Sequence, residues 1–146
     1  MKWEENVRKV VPYVPGEQPK MQNLIKLNTN EFPYPPAPAV QKAIAEFDYD
    51  KLRLYSDPCI TDLTAAVAGL YGLKPENAFV GVGSDDVLAM AFLTFFNSDK
   101  KILFPDITYS FYDVWADLYR IPYEMQPLME DFFIRKEDYF KENGGV

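Results

Sequence analysis

Between residues 57 and 128, short apolar runs alternate with segments of helical period, and this pattern restricts the fold of the chain more than any other. Asp57-Pro58 reads as a helix start, a capping oxygen followed by proline at the first helical position. The helix is predicted to run to Tyr71 and to bury Leu63, Val67 and Leu70. Gly72 suits the left-handed position that ends such a helix. Ala78-Phe79-Val80-Gly81-Val82 has the length of a buried strand. A helix over 85–96 is predicted next, apolar on nearly every side and therefore covered on several faces. A strand over 101–104 follows. A helix over 108–119 then presents Phe111, Tyr112, Trp115 and Leu118 on one face. A strand over 121–128 and a helical turn over 137–141 complete the series. The order α-β-α-β-α-β implies an α/β fold, with a largely parallel sheet and helices on its faces.

The preceding residues have a different texture. Seven of the 12 prolines fall within the first 38 positions. Proline fixes φ and removes an amide donor, so residues 1–36 are expected to form an extended arm, and 37–146 the α/β part. Within the arm, a helical turn over 4–10 and a short strand at Leu24, Ile25 and Leu27 are expected. A helix over 39–47 and a loop over 49–56 follow. At the far end, Asn143-Gly144-Gly145 is a turn signal and Val146 reads as the first residue of a further strand. The expectation is that the domain is truncated there.

Charge and composition exclude several kinds of chemistry. The net charge of -7 repels phosphate backbones, and no basic cluster overrides it, so nucleic acid is not the expected partner. No apolar stretch is long enough for a membrane span. The single cysteine, Cys59, cannot form an internal disulfide, which fits a reducing cytoplasm. Without any histidine, no His-based triad or His metal site can form.

Four segments could carry chemistry. Gly81-Val82-Gly83-Ser84-Asp85-Asp86 lies between a predicted strand and a helix, where free amides and the helix dipole favour an anion. It lacks the third glycine of a dinucleotide fingerprint and the Gly-Lys-Ser/Thr of a P-loop. On the motif alone, the favoured reading is a plain strand–helix turn, capped by Ser84 with Asp85 and Asp86 countering the dipole. Pro105-Asp106-Ile107-Thr108-Tyr109 follows the next strand, so both loops open on the same sheet edge, and Tyr109 could cover a planar ring there. Alternatively, Thr108 is a helix cap and Tyr109 ordinary packing. Leu27-Asn28-Thr29-Asn30-Glu31-Phe32-Pro33-Tyr34-Pro35-Pro36 reads as a polar turn with a polyproline arm. Arg53-Leu54-Tyr55-Ser56-Asp57-Pro58 reads as a helix cap with an exposed tyrosine.

In order, Val11-Pro12-Tyr13-Val14-Pro15-Gly16 and the four segments resemble the histidinol-phosphate aminotransferase family, pyridoxal-phosphate enzymes of the aspartate aminotransferase fold type. The resemblance implies an N-terminal arm plus part of the large, mainly parallel-sheet domain of a fold-type-I transferase. It implies that Gly83, Ser84 and Asp85 hold the phosphate of pyridoxal 5'-phosphate and that Tyr109 stacks on its ring. It implies that Tyr55 reaches the phosphate in the neighbouring subunit of a homodimer. Tyr13, Asn30 and Glu31 would lie on the substrate side. The implied reaction moves an amino group between L-histidinol phosphate and 2-oxoglutarate in histidine biosynthesis.

The sequence departs from the family at several points. Val82 stands where Asn is usual, Ser56 where Pro is commoner, and Phe32 where Asn is usual. The family's Schiff-base lysine, the aspartate facing the pyridine nitrogen and the substrate arginines lie in segments that none of these 146 residues matches. The 11 lysines present occupy other contexts. The expectation is therefore an enzyme portion that is inactive as this chain alone, without covalent cofactor attachment at the family position. The alternative is a non-catalytic α/β module that binds phosphate or another chain.

Overall fold

A computed structural model describes residues 2–11, 14, 16, 17, 19–21 and 23–146. The chain divides into two compact units, residues 14–78 and residues 1–13 with 79–146.

In the second unit, two parallel strands form the sheet. Strand β1 (Ile102–Pro105) lies beside β2 (Tyr123–Gln126), with Ile102 opposite Tyr123 and Pro105 opposite Gln126. Helix α4 (Tyr112–Tyr119) joins them as the crossover that parallel neighbours require. Ile102, Leu103 and Phe104 are all buried, as expected of a strand covered on both faces. Phe92, Ile102, Phe104, Ala116 and Ile121 form the core, with Phe96, Tyr112, Trp115, Tyr119 and Tyr123 packed around it. The Phe104 ring stacks on Tyr123 at 5.2 Å and meets Tyr112 edge-on at 5.9 Å. Successive turns of α4 stack Phe111 on Trp115 and Trp115 on Tyr119, at 5.6 and 6.2 Å. Helix α3 (Ser84–Ala91) continues into a wide π-helical turn, Phe92–Phe96. The parallel α/β organisation read from the sequence is thus present.

Two local devices hold this unit together. Arg120 ends α4 in the left-handed conformation (φ 58°), and the Ile121 amide reaches back to the Ala116 carbonyl at 2.9 Å. On the edge of β1 away from β2, the Leu103 amide donates to the Gly145 carbonyl (2.9 Å) and the Gly144 amide to the Lys101 carbonyl (2.8 Å). Charges reinforce the same region. Glu124 takes Lys141 at 2.5 Å and Lys101 at 3.3 Å, and Lys100 pairs with Glu142 at 2.9 Å. The Gln126 amide, on a buried side chain, donates to Glu124 at 3.1 Å. These bonds hold the Glu124 carboxyl down at about 2, the Lys141 hydrogen bond first, then Gln126 and Lys101.

The 14–78 unit contains α1 (Pro38–Ala45), a 3-10 turn (Tyr49–Arg53) and α2 (Thr61–Leu70). Proline opens α1, and the Gln41 side-chain Nε2 donates to the Pro36 carbonyl at 2.7 Å. Asp57 caps the entry to α2 by accepting from the amides of Cys59 (2.9 Å) and Thr61 (2.8 Å). The Thr61 hydroxyl first, then the Thr61 and Cys59 amides, lower the Asp57 carboxyl. Gly72, at φ 65°, closes α2 with paired reverse bonds, Leu73 amide to Ala68 carbonyl (2.8 Å) and Gly72 amide to Gly69 carbonyl (3.2 Å).

Several expectations are corrected. Among the described residues, the segment 78–82 forms no strand, because no neighbouring strand pairs with it, and the amides at its two ends are engaged locally. The Ala78 amide bonds the Pro75 carbonyl (3.1 Å), and the Val82 amide bonds the Asp86 carboxylate (3.0 Å). Among the described residues, 24–27 likewise carries no strand. Only Trp3–Asn6 of the N-terminal helical turn forms, as a 3-10 turn. Helix α2 starts at Thr61 rather than beside Pro58, because Ile60 turns left-handed (φ 49°). Ala68 is its buried residue, while Leu63 and Leu70 are exposed. Thr108 caps nothing: α4 begins at Tyr112, since Asp106 organises the loop by accepting the Ile107 and Leu128 amides at 2.9 and 3.0 Å. Among the described residues, no helix is long and apolar enough to cross a membrane. None of their His, Cys, Asp or Glu side chains forms a metal-binding group.

Candidate functional site

Glycine sets the geometry at the start of α3. Gly83 has φ 84° and ψ 170°, a conformation that side chains disfavour, and a Cβ placed there would meet nothing within 4 Å. The space beside Gly83 is therefore open. The Gly83 amide turns back to the Gly81 carbonyl at 3.0 Å. Asp86, at the third helical position, reaches back to the Val82 amide instead of capping its own turn. No side chain caps α3, and the amides of Ser84, Asp85 and Asp86 have no partner among the described residues. Ser84 is exposed and does not cap the helix, so the plain capped-turn reading fails. Three free donors thus lie at the positive end of a helix dipole, an arrangement that accepts an anion.

Tyr109 reaches this turn from the loop after β1. Its hydroxyl donates to the Asp85 carboxylate at 2.6 Å. Its ring meets Tyr112 edge-on at 6.0 Å and lies tilted against Phe111 at 5.6 Å. Tyr109 as a residue is 44% exposed. Gly83, Ser84, Asp85 and Tyr109 thus come together within the 79–146 unit, as the two-loop reading anticipates.

Asn30, Glu31 and Tyr55 belong to the 14–78 unit. Thr29 and Asn30 both adopt positive φ (62° and 51°). The Lys26 ammonium bridges the Thr29 hydroxyl at 3.0 Å and the Glu31 carboxylate. The hydrogen bond and charge of Lys26 lead the lowering of the Glu31 carboxyl, with Thr29 adding to it. Tyr55 is fully exposed between the 3-10 turn and the Asp57 cap. Tyr13 lies outside the described residues.

Sequence reasoning missed the ties that hold these groups. A carboxylate at the third helical position is a known reach-back signal, so Asp86 was within range of that rule. The Tyr109–Asp85 bond joins residues 24 positions apart and has no local signature.

The family model for aminotransferase class I and II matches residues 22–141. The chain belongs to the aminotransferase class I and II family. It is 55% identical over 144 residues to histidinol-phosphate aminotransferase 1 of Hydrogenovibrio crunogenus, covering 99% of this chain and 40% of that protein. It is 50% identical over 146 residues to the histidinol-phosphate aminotransferase of Lactococcus lactis subsp. cremoris, covering 100% of this chain and 41% of the relative. It is 53% identical over 145 residues to that of Clostridium acetobutylicum, with 99% and 41% covered. The chain therefore spans about two fifths of the length of these curated relatives.

Proposed function

We propose that this chain supplies the phosphate-and-ring half of a pyridoxal-phosphate site in an aminotransferase that acts on L-histidinol phosphate with 2-oxoglutarate, in histidine biosynthesis. The observation that carries the reading is the uncapped α3 start, three amide donors with Tyr109 tethered beside them. Family members use pyridoxal phosphate, and the residues present fit it. Its phosphate ester needs several donors and space, which Gly83, Ser84 and Asp85 offer, and its flat ring needs an aromatic face, which Tyr109 offers. Bound there, the cofactor would supply the electron sink for chemistry at the amino-bearing carbon.

In this reading the chain binds and orients. The amides of residues 84–86 neutralise the phosphate charge, and the Ser84 hydroxyl adds a donor. The ring of Tyr109 covers one cofactor face and sheds water from it. Tyr55 serves the phosphate of a neighbouring subunit in a homodimer, and Tyr13, Asn30 and Glu31 line the substrate side. Lys26 pairs with the Glu31 carboxylate and the Thr29 hydroxyl and so holds their turn in place. Residues 1–36 act as the arm, and 37–146 form part of a fold-type-I large domain in a cytoplasmic enzyme. The names of the relatives, all histidinol-phosphate aminotransferases, support the substrate.

Two measurements test this. Equilibrium dialysis should show the chain retaining pyridoxal 5'-phosphate more tightly than pyridoxal, and Gly83→Ala should abolish the difference. Equal retention of the two compounds overturns the phosphate assignment. Co-expression with the portion of the Hydrogenovibrio crunogenus relative that this chain does not match should yield transamination of L-histidinol phosphate. A soluble complex without that activity overturns the substrate assignment.

A further inference from the structure

We propose that the Asp85 side chain is a positioning residue that fixes the angle of the Tyr109 ring over the cofactor; the proposal rests on the pyridoxal-phosphate reading above. Asp85 contributes in two directions from one residue. Its amide is one of the uncapped donors at the start of α3, while its carboxylate accepts the Tyr109 hydroxyl at 2.6 Å. Tyr109 is held at its body by the rings of Tyr112 and Phe111 and at its tip by Asp85. Its loop is anchored separately, by Asp106 accepting the Ile107 and Leu128 amides and by the Tyr112 amide on the Tyr109 carbonyl (3.1 Å). The ring cannot swing away from α3 without breaking the tip bond. One residue thereby sets the spacing between the phosphate donors and the aromatic plane.

The geometry separates this role from a simpler one. A carboxylate in the first turn of a helix favours the dipole, but beside a bound phosphate it repels. If that were all Asp85 did, removing its charge would tighten phosphate binding and leave the ring angle alone. If Asp85 acts through Tyr109, removing the charge loosens the ring, whatever happens to affinity.

The test uses the 146-residue chain with pyridoxal 5'-phosphate, reading induced circular dichroism in the cofactor band at saturation and affinity by dialysis. Asp85→Asn is expected to lower the induced signal by about half or more while affinity changes by no more than about threefold, since the amide stays and only one hydrogen bond weakens. Tyr109→Phe, which keeps the ring and loses the hydrogen bond altogether, should lower the signal at least as much. The double variant should add nothing to Tyr109→Phe, as for two partners of one interaction. An unchanged signal in Asp85→Asn overturns the proposal, and so does an unchanged signal in Tyr109→Phe. Should Asp85→Asn fail to fold, Tyr109→Phe decides alone. No induced signal and no retention by the unsubstituted chain overturns the cofactor reading itself, and this proposal with it.

Discussion

The two units of this chain carry similar apolar patterns and treat them differently. In the 79–146 unit, Phe92, Ile102, Phe104, Ala116 and Ile121 close into a core. In the 14–78 unit, Val40, Ile44, Phe47, Leu63 and Leu70 lie at helical spacing yet stay exposed, and among the described residues Ala68 is the buried hydrophobic one. Periodicity makes a helix amphipathic, but only a neighbouring element makes its stripe a core. A parallel strand pair with its crossover helix supplies such neighbours within one short stretch. Two short helices and a 3-10 turn do not.

The largest test of this contrast is a pair of truncations. Phe104→Ala should cost about 3–5 kcal/mol in a denaturant titration, because it opens a cavity between Tyr112 and Tyr123. Ile44→Ala, on the exposed face of α1, should stay within about 0.5 kcal/mol. Equal losses at the two sites would break the comparison.

Helix ends give smaller effects and sharpen it. Asp57→Ala should destabilise α2 by about 1 kcal/mol, visible as faster amide exchange at Cys59 and Thr61. Unchanged exchange would show that the 14–78 unit does not depend on its cap. Gly72 and Arg120 end their helices in the same left-handed way, one without strain and one with it. Arg120→Gly should therefore raise the thermal midpoint, by a gain of about 0.5–1 kcal/mol, whereas Gly72→Ala should lower it by a similar amount.

The smallest effect is acid dependence. The Glu124 carboxyl, ordinarily near 4.5, is held at about 2 in the folded chain by Lys141, Gln126 and Lys101. A depressed folded value means that its contribution is whole above about pH 4.5 and disappears as pH falls towards 2. Acid titration of the folded chain should show a loss in that window that Glu124→Gln removes. Persistence of the same slope in the variant would assign it to other carboxylates.

Much of this molecule is legible in its sequence, and the limits are physical. The β1–α4–β2 unit reads directly because apolar runs, a helical period and parallel topology agree with one another. Gly72 and Gly83 are legible because left-handed backbone selects glycine. The segment 78–82 misleads because strand propensity has no expression without a partner strand, and the amides at its two ends find local acceptors instead. At the site, the helix start and Tyr109 are both readable as loop motifs. Their joining by Asp85 is not, since it depends on how two loops meet in space.

The Leu103 amide has a use of its own. It sits in the middle of the most buried strand, yet its acceptor is the Gly145 carbonyl on the outer edge rather than β2. Its deuterium uptake therefore reports whether residues 144–145 are seated, while the neighbouring Ile102 amide, bonded to Pro122, reports on the sheet. Read together, two adjacent protons separate release of the chain's final residues from opening of the sheet.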